Sequence, residues 1–199
     1  MTHFEFIRLV VGGDVEAVAR ELKATPELAT AAFAAGATRQ DAATFFFAEI
    51  AHYLYEGDTA LHMAAAAFRR PVAQLLVAHG ADWRARNRRG AQPLHYAADT
   101  NVWNPTAQAE TIEYLLSVGA DPNAQNTDGA TPLHKAVRTR SAPAVRALLN
   151  GGADPRRRNK NGSTSMDLAE RTTGRGGSGS QHAREQQAAI IALLNDWSG

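Results

Sequence analysis

The chain has no cysteine, which removes a disulfide framework, a thiol nucleophile and every thiolate metal site at once. No run of apolar residues approaches the 18 or so needed to cross a bilayer. Its opening stretch, Met1 to Val11, is interrupted by Glu5 and Arg8, so neither a membrane span nor a secretory leader is expected. Aromatic residues make up only 7% of the 199 positions, and the net charge is +1. Apolar residues at 44% and charged residues at 21% nevertheless match ordinary globular usage, so a folded, cytoplasmic protein is the expectation. The small net charge hides an imbalance. Residues 1–60 carry 4 Lys/Arg against 9 Asp/Glu, whereas residues 61–199 carry 17 against 11.

What the chain does have is internal repetition. Leu61-His62, Leu94-His95 and Leu133-His134 recur at separations of 33 and 39 residues, and a further step of 33 reaches Met166-Asp167. Other columns keep these offsets: Asn87, Asn126 and Asn159; Gly57, Gly90, Gly129 and Gly162; Gly80-Ala81-Asp82, Gly119-Ala120-Asp121 and Gly152-Ala153-Asp154. Each unit reads as a short helix rich in small residues, a turn, and a second helix with apolar residues at helical spacing, such as Ala73, Leu76 and Val77. Gly80, Gly119 and Gly152 stand where a helix ends at positive φ. Units of about 33 residues cannot bury both apolar faces alone, so they must stack into a solenoid.

Thr131-Pro132-Leu133-His134, Gly129 and Gly152-Ala153-Asp154 resemble the ankyrin repeat, closely over residues 57–199 and loosely over 4–30. The expected fold is an all-α repeat solenoid of about five stacked helix-turn-helix units with projecting hairpins: 4–56, 57–89, 90–128, 129–161 and 162–199. Three insertions break the period. Residues 31–56 contain Phe45-Phe46-Phe47 and Tyr53-Leu54-Tyr55 and are expected to cover the end of the stack and the first helices. Residues 101–106 carry Trp103, either an exposed anchor or folded back on its own unit, and residues 172–181 form a Gly/Ser-rich loop.

Candidate chemistry is sparse. The recurring histidines cannot share a metal, because equivalent positions in stacked helices lie about 8–10 Å apart and ligands must approach to about 2 Å. They read as buried imidazoles bonded to hairpin backbone. Gly174 to Gly179 fits G-x-G-x-x-G, but it follows a helix and not a buried strand, so it is not a dinucleotide fingerprint. No nucleophile elbow, zinc-protease motif or facing carboxylate pair is present. No catalytic residue, cofactor or metal is expected, and the protein reads as non-enzymatic.

The hairpins are the expected binding surface. If each ran extended, alternate side chains would share a face. Arg84, Arg86 and Arg88 would then line one hairpin, Asn123, Gln125 and Thr127 the next, and Arg156, Arg158 and Lys160 the third. That basic, neutral, basic order suits an acidic partner, or consists of solvated charges. The resemblance implies a protein-protein interaction module with contacts at its variable positions, and a monomer is expected. These are Arg88, Arg89 and Ala91; Thr127, Asp128 and Ala130; Lys160, Asn161 and Ser163; and the first-helix ends Ala66-Ala67, Asp99-Thr100 and Arg138-Thr139. The alternatives are a binder of nucleic acid or another polyanion through the arginine hairpins, and a small-ligand or catalytic protein using the aromatic and Gly-rich insertions.

Overall fold

The computed structural model describes residues 1–99, 104–171 and 180–197. Among these residues, ten α-helices follow in pairs: α1 (His3–Gly12) and α2 (Val15–Ala24); α3 (Ala60–Ala66) and α4 (Arg70–Ala78); α5 (Pro93–Ala98) and α6 (Pro105–Ser117); α7 (Pro132–Arg138) and α8 (Ala142–Asn150); α9 (Ser165–Glu170) and α10 (Gln181–Asn195). The first helices of successive pairs stack in one layer and the second helices in another. The expected all-α solenoid is what the chain forms. Trp103, with Thr100, and the Gly-rich loop at 172–179 lie outside the described residues.

A helix of six or seven residues is unstable alone, so the first helices depend on their ends and neighbours. In α3 the His62 Nδ1 accepts from the Thr59 backbone N–H at 3.1 Å, while Nε2 reaches the Ala91 carbonyl of the next unit at 3.1 Å. His95 accepts from Gln92 N–H at 3.2 Å and reaches Ala130 O at 3.1 Å; His134 accepts from Thr131 N–H at 3.2 Å and reaches Ser163 O at 3.0 Å. Since Nδ1 accepts, Nε2 carries the hydrogen and donates. Burial pushes the pKa of each of the three histidines down, His95 to about 4, so they stay neutral at pH 7. The core behind them is a continuous seam of Leu61, Leu94 and Leu133 with Leu76, Leu115 and Leu148, all fully buried.

The hairpins between units are built from two turns each, so the expected alternation fails. Ala85 N–H donates to Asp82 O, closing one turn, and Gly90 N–H donates to Asn87 O, closing the tip. Asn87 Oδ1 accepts from Arg89 and Ala91 N–H, Asn126 Oδ1 from Asp128 and Ala130, and Asn159 Oδ1 from Asn161 and Ser163. The only strands among the described residues lie in the first insertion, where β1 (Phe46–Phe47) pairs antiparallel with β2 (His52–Tyr53).

That insertion goes further than expected. Phe47, Ile50 and Leu54 are buried, and Phe45 and Phe47 meet Phe4 of α1 with ring centroids 6.4 and 5.3 Å away. It then crosses onto the first-helix layer, where His52 lies 4.6 Å from the Tyr96 ring of α5. Each buried apolar side chain contributes about 1.5–3 kcal/mol, so the insertion is a fixed wall. Its return leg is held by Phe33 N–H to Asp58 O at 2.9 Å and Ala37 N–H to Leu54 O at 2.8 Å. Gly36 sits where a Cβ would overlap the backbone of Tyr55 and Glu56. Gly36→Ala is therefore expected to release this leg: limited proteolysis should cut within residues 31–56 at least tenfold faster while the helical circular dichroism is kept. An unchanged cleavage rate contradicts the packing described.

Candidate binding surface

The predicted basic face divides into three groups. At the hairpin feet, beside the second-helix layer, Arg84 lies 5.6 Å from the Trp83 ring and Arg156 lies 4.7 Å from the Trp197 ring, with Arg156 Nε 3.0 Å from Asp154. Between hairpins, Arg86 Nη1 donates to Gly90 O at 3.0 Å and to Gln125 O at 2.8 Å. Gln125 repeats the pattern toward Gly129 O and Arg158 O, and Arg158 donates to Gly162 O. Arg86 and Gln125 thus brace the stack, whereas the Arg158 side chain closes on its own hairpin. At the tips, Arg88, Arg89, Thr127, Asp128, Lys160 and Asn161 line up at equivalent, exposed positions. The tips are tied together: Thr127 N–H and Oγ1 both donate to Arg89 O, and Lys160 N–H donates to Asp128 O.

Several expected contact positions are closed to a partner. Ala66, Ala67 and Thr139 are buried at the ends of first helices, as are Ala91, Ala130 and Ser163 behind the tips. Arg138 is exposed at the end of α7. Asp99 pairs with Lys135 at 2.9 Å.

The insertion brings residues to this surface that the repeat pattern does not reveal. The Arg89 guanidinium lies 4.3 Å from the centroid of the Tyr55 ring and Arg88 lies 5.5 Å from it, with Arg88 also donating to Ala37 O. Such contacts contribute about 0.5–1 kcal/mol each at exposed sites. Tyr53 stacks obliquely on Phe46, centroids 4.8 Å apart. The signal in the sequence was the alternation of Tyr53 and Tyr55, which a two-residue period places on one face.

Between the insertion and α5 and α7 lies a cavity of about 180 Å³, lined by Arg89, Asp99, Asp128, Lys135, His52 and three tyrosines, among others. His52 donates from Nδ1 to Tyr53 O at 2.8 Å, and burial holds its pKa below the usual range, leaving a neutral ring. Beneath it, Asp58 is fully buried. It accepts from Tyr55 N–H at 2.6 Å, Asn87 Nδ2 at 2.9 Å and Tyr96 Oη at 2.9 Å, joining insertion, hairpin tip and first helix. Burial, with Asp58 adding to it, pushes the Tyr96 hydroxyl well above its ordinary pKa.

Among the described residues no group of three or more His, Cys, Asp or Glu could hold a metal ion, and no helix is long and apolar enough to cross a membrane. A family model described as ankyrin repeats in three copies matches residues 19–126, and another, ankyrin repeats in many copies, matches residues 115–169. No curated protein matches the chain. Ankyrin repeats are generally protein-protein interaction modules and typically non-catalytic. With helix pairs throughout, His-capped first helices and Asn-braced hairpins in the second, third and fourth units, and a match spanning more than half its length, the chain belongs to the ankyrin repeat family.

Proposed function

We propose that the protein is a monomeric, non-enzymatic cytoplasmic module that holds another protein, one with an acidic patch, against its hairpin tips and first-helix layer. The observation carrying this reading is the row of exposed tip residues, Arg88 and Arg89, Thr127 and Asp128, Lys160 and Asn161, fixed in register by hydrogen bonds between neighbouring hairpins. A surface already ordered loses little side-chain and loop entropy on binding. The test is a partner identified by co-purification and then reconstituted from purified components. Charge reversal by Arg89→Glu and Lys160→Glu is expected to weaken binding at least tenfold in combination. Arg84→Glu at the hairpin foot should change it less than twofold, and the opposite ranking would move the interface to the second-helix layer.

One observation favours a second reading, a polyanion or nucleic-acid binder: arginines and an exposed aromatic ring do come together at Arg88, Arg89 and Tyr53. Affinity for single-stranded and duplex DNA that falls steeply between two salt concentrations would support it, since phosphate contacts release counterions. The small-ligand reading has the 180 Å³ cavity beside the aromatic insertion as its place.

A further inference from the structure

The insertion and the second unit's hairpin enclose an open cleft of about 310 Å³ whose charged lining is entirely cationic: Arg39, Arg88 and Arg89, grouped with Tyr53 and Tyr55. None of these arginines forms an ion pair among the described residues. Alongside, Phe46 is 40% exposed and Tyr53 is 37% exposed, two of the four exposed large apolar side chains among the described residues. They stack on each other at the rim. Arginine, tyrosine and phenylalanine gathered in one place is the composition of interface hot spots, and guanidinium groups held over a ring are pre-oriented to grip a carboxylate in a fork.

We infer that this cleft docks an extended acidic segment of another protein, a carboxylate entering among the three arginines and a nearby large apolar side chain packing on Phe46 and Tyr53. The inference rests on the protein-binding reading and names the chemistry of the partner. Charge complementarity selects a carboxylate. The neighbouring tip selects a peptide over a nucleic-acid strand, because Asp128 stands at the equivalent position about 8–10 Å further along the stack, where successive phosphates would meet a like charge. In an extended segment, side chains two apart share a face, so one face can present both groups.

A random peptide library displayed on phage and selected on the purified full chain tests this. The selected pool is expected to be enriched in Asp or Glu within two positions of Leu, Phe or Trp. The leading peptide, synthesised with a fluorescent label, should lose at least tenfold in affinity to the pair Arg39→Glu and Arg89→Glu. It should lose a similar factor to the pair Phe46→Ser and Tyr53→Ser, and less than twofold to Arg156→Glu. Arg89→Lys, which keeps the charge without the fork, should fall between and guards against misfolding of the reversed variant. A pool without acidic enrichment, a peptide indifferent to both pairs, or an oligothymidylate of equal charge that binds more tightly overturns the inference. A reconstituted partner that is lost on Lys160→Glu but ignores both pairs removes this site while leaving the module reading in place.

Discussion

Asp58→Ala is expected to destabilise the protein by about 3–5 kcal/mol, the largest effect of any single substitution outside the leucine seam. The carboxylate accepts from Tyr55 N–H, Asn87 Nδ2 and the Tyr96 hydroxyl with no exposure to water. Each buried donor left without an acceptor costs about 1–3 kcal/mol, and bonds to a charged acceptor lie at the upper end. For a chain of this size the loss corresponds to a melting temperature lower by roughly 6–20 °C. Hydrogen exchange should quicken first in the insertion and around Asn87 to Ala91, because Asp58 joins the two. A melting shift below about 3 °C would show that Asp58 is not a keystone.

Acid should begin to destabilise the protein before its carboxylates are neutralised. His52, His62, His95 and His134 have folded-state pKa values held down by burial, while an unfolded histidine titrates near 6.5. Below pH 6.5 the unfolded state takes up protons that the folded state refuses, so stability is full above that pH and falls as pH drops toward the lower folded-state values. For His95, whose folded pKa is about 4, the loss by pH 4.5 is about 2.5 kcal/mol. That is about 5–10 °C in melting temperature from one residue. Thermal scans between pH 7.5 and 4.5 should show a monotonic fall that becomes shallower in His95→Gln. A flat profile across this window contradicts neutral, buried imidazoles.

The repeat columns disclosed the helix pairs, the glycines at helix ends and the backbone-bonding histidines, because each depends on local spacing that recurs. The direction of the hairpin arginines was not disclosed. Two consecutive turns destroy the alternation on which a shared face depends, and Arg84, Arg86 and Arg88 end up with the second-helix layer, the next hairpin and the insertion respectively. The course of the insertion was equally hidden, since pairing residues 32–37 with 54–59 and laying His52 on Tyr96 are contacts between segments far apart in sequence. Asp58 did leave a trace: it occupies the column of Ala91, Ala130 and Ser163, where a lone carboxylate among small residues marks a special contact.

The buried imidazoles also make the solenoid asymmetric from end to end. Each hands its single hydrogen to the unit that follows, so peeling away a successor takes the acceptor from an imidazole N–H, whereas peeling away a predecessor frees only a carbonyl oxygen. Asp167 takes the imidazole's place in the fifth unit, receiving the Thr164 N–H and hydroxyl at 2.7 and 2.8 Å, and an ionised carboxylate has no hydrogen to pass on. The fifth pair therefore asks nothing of a sixth, and fraying from the two extremities should proceed at unequal rates.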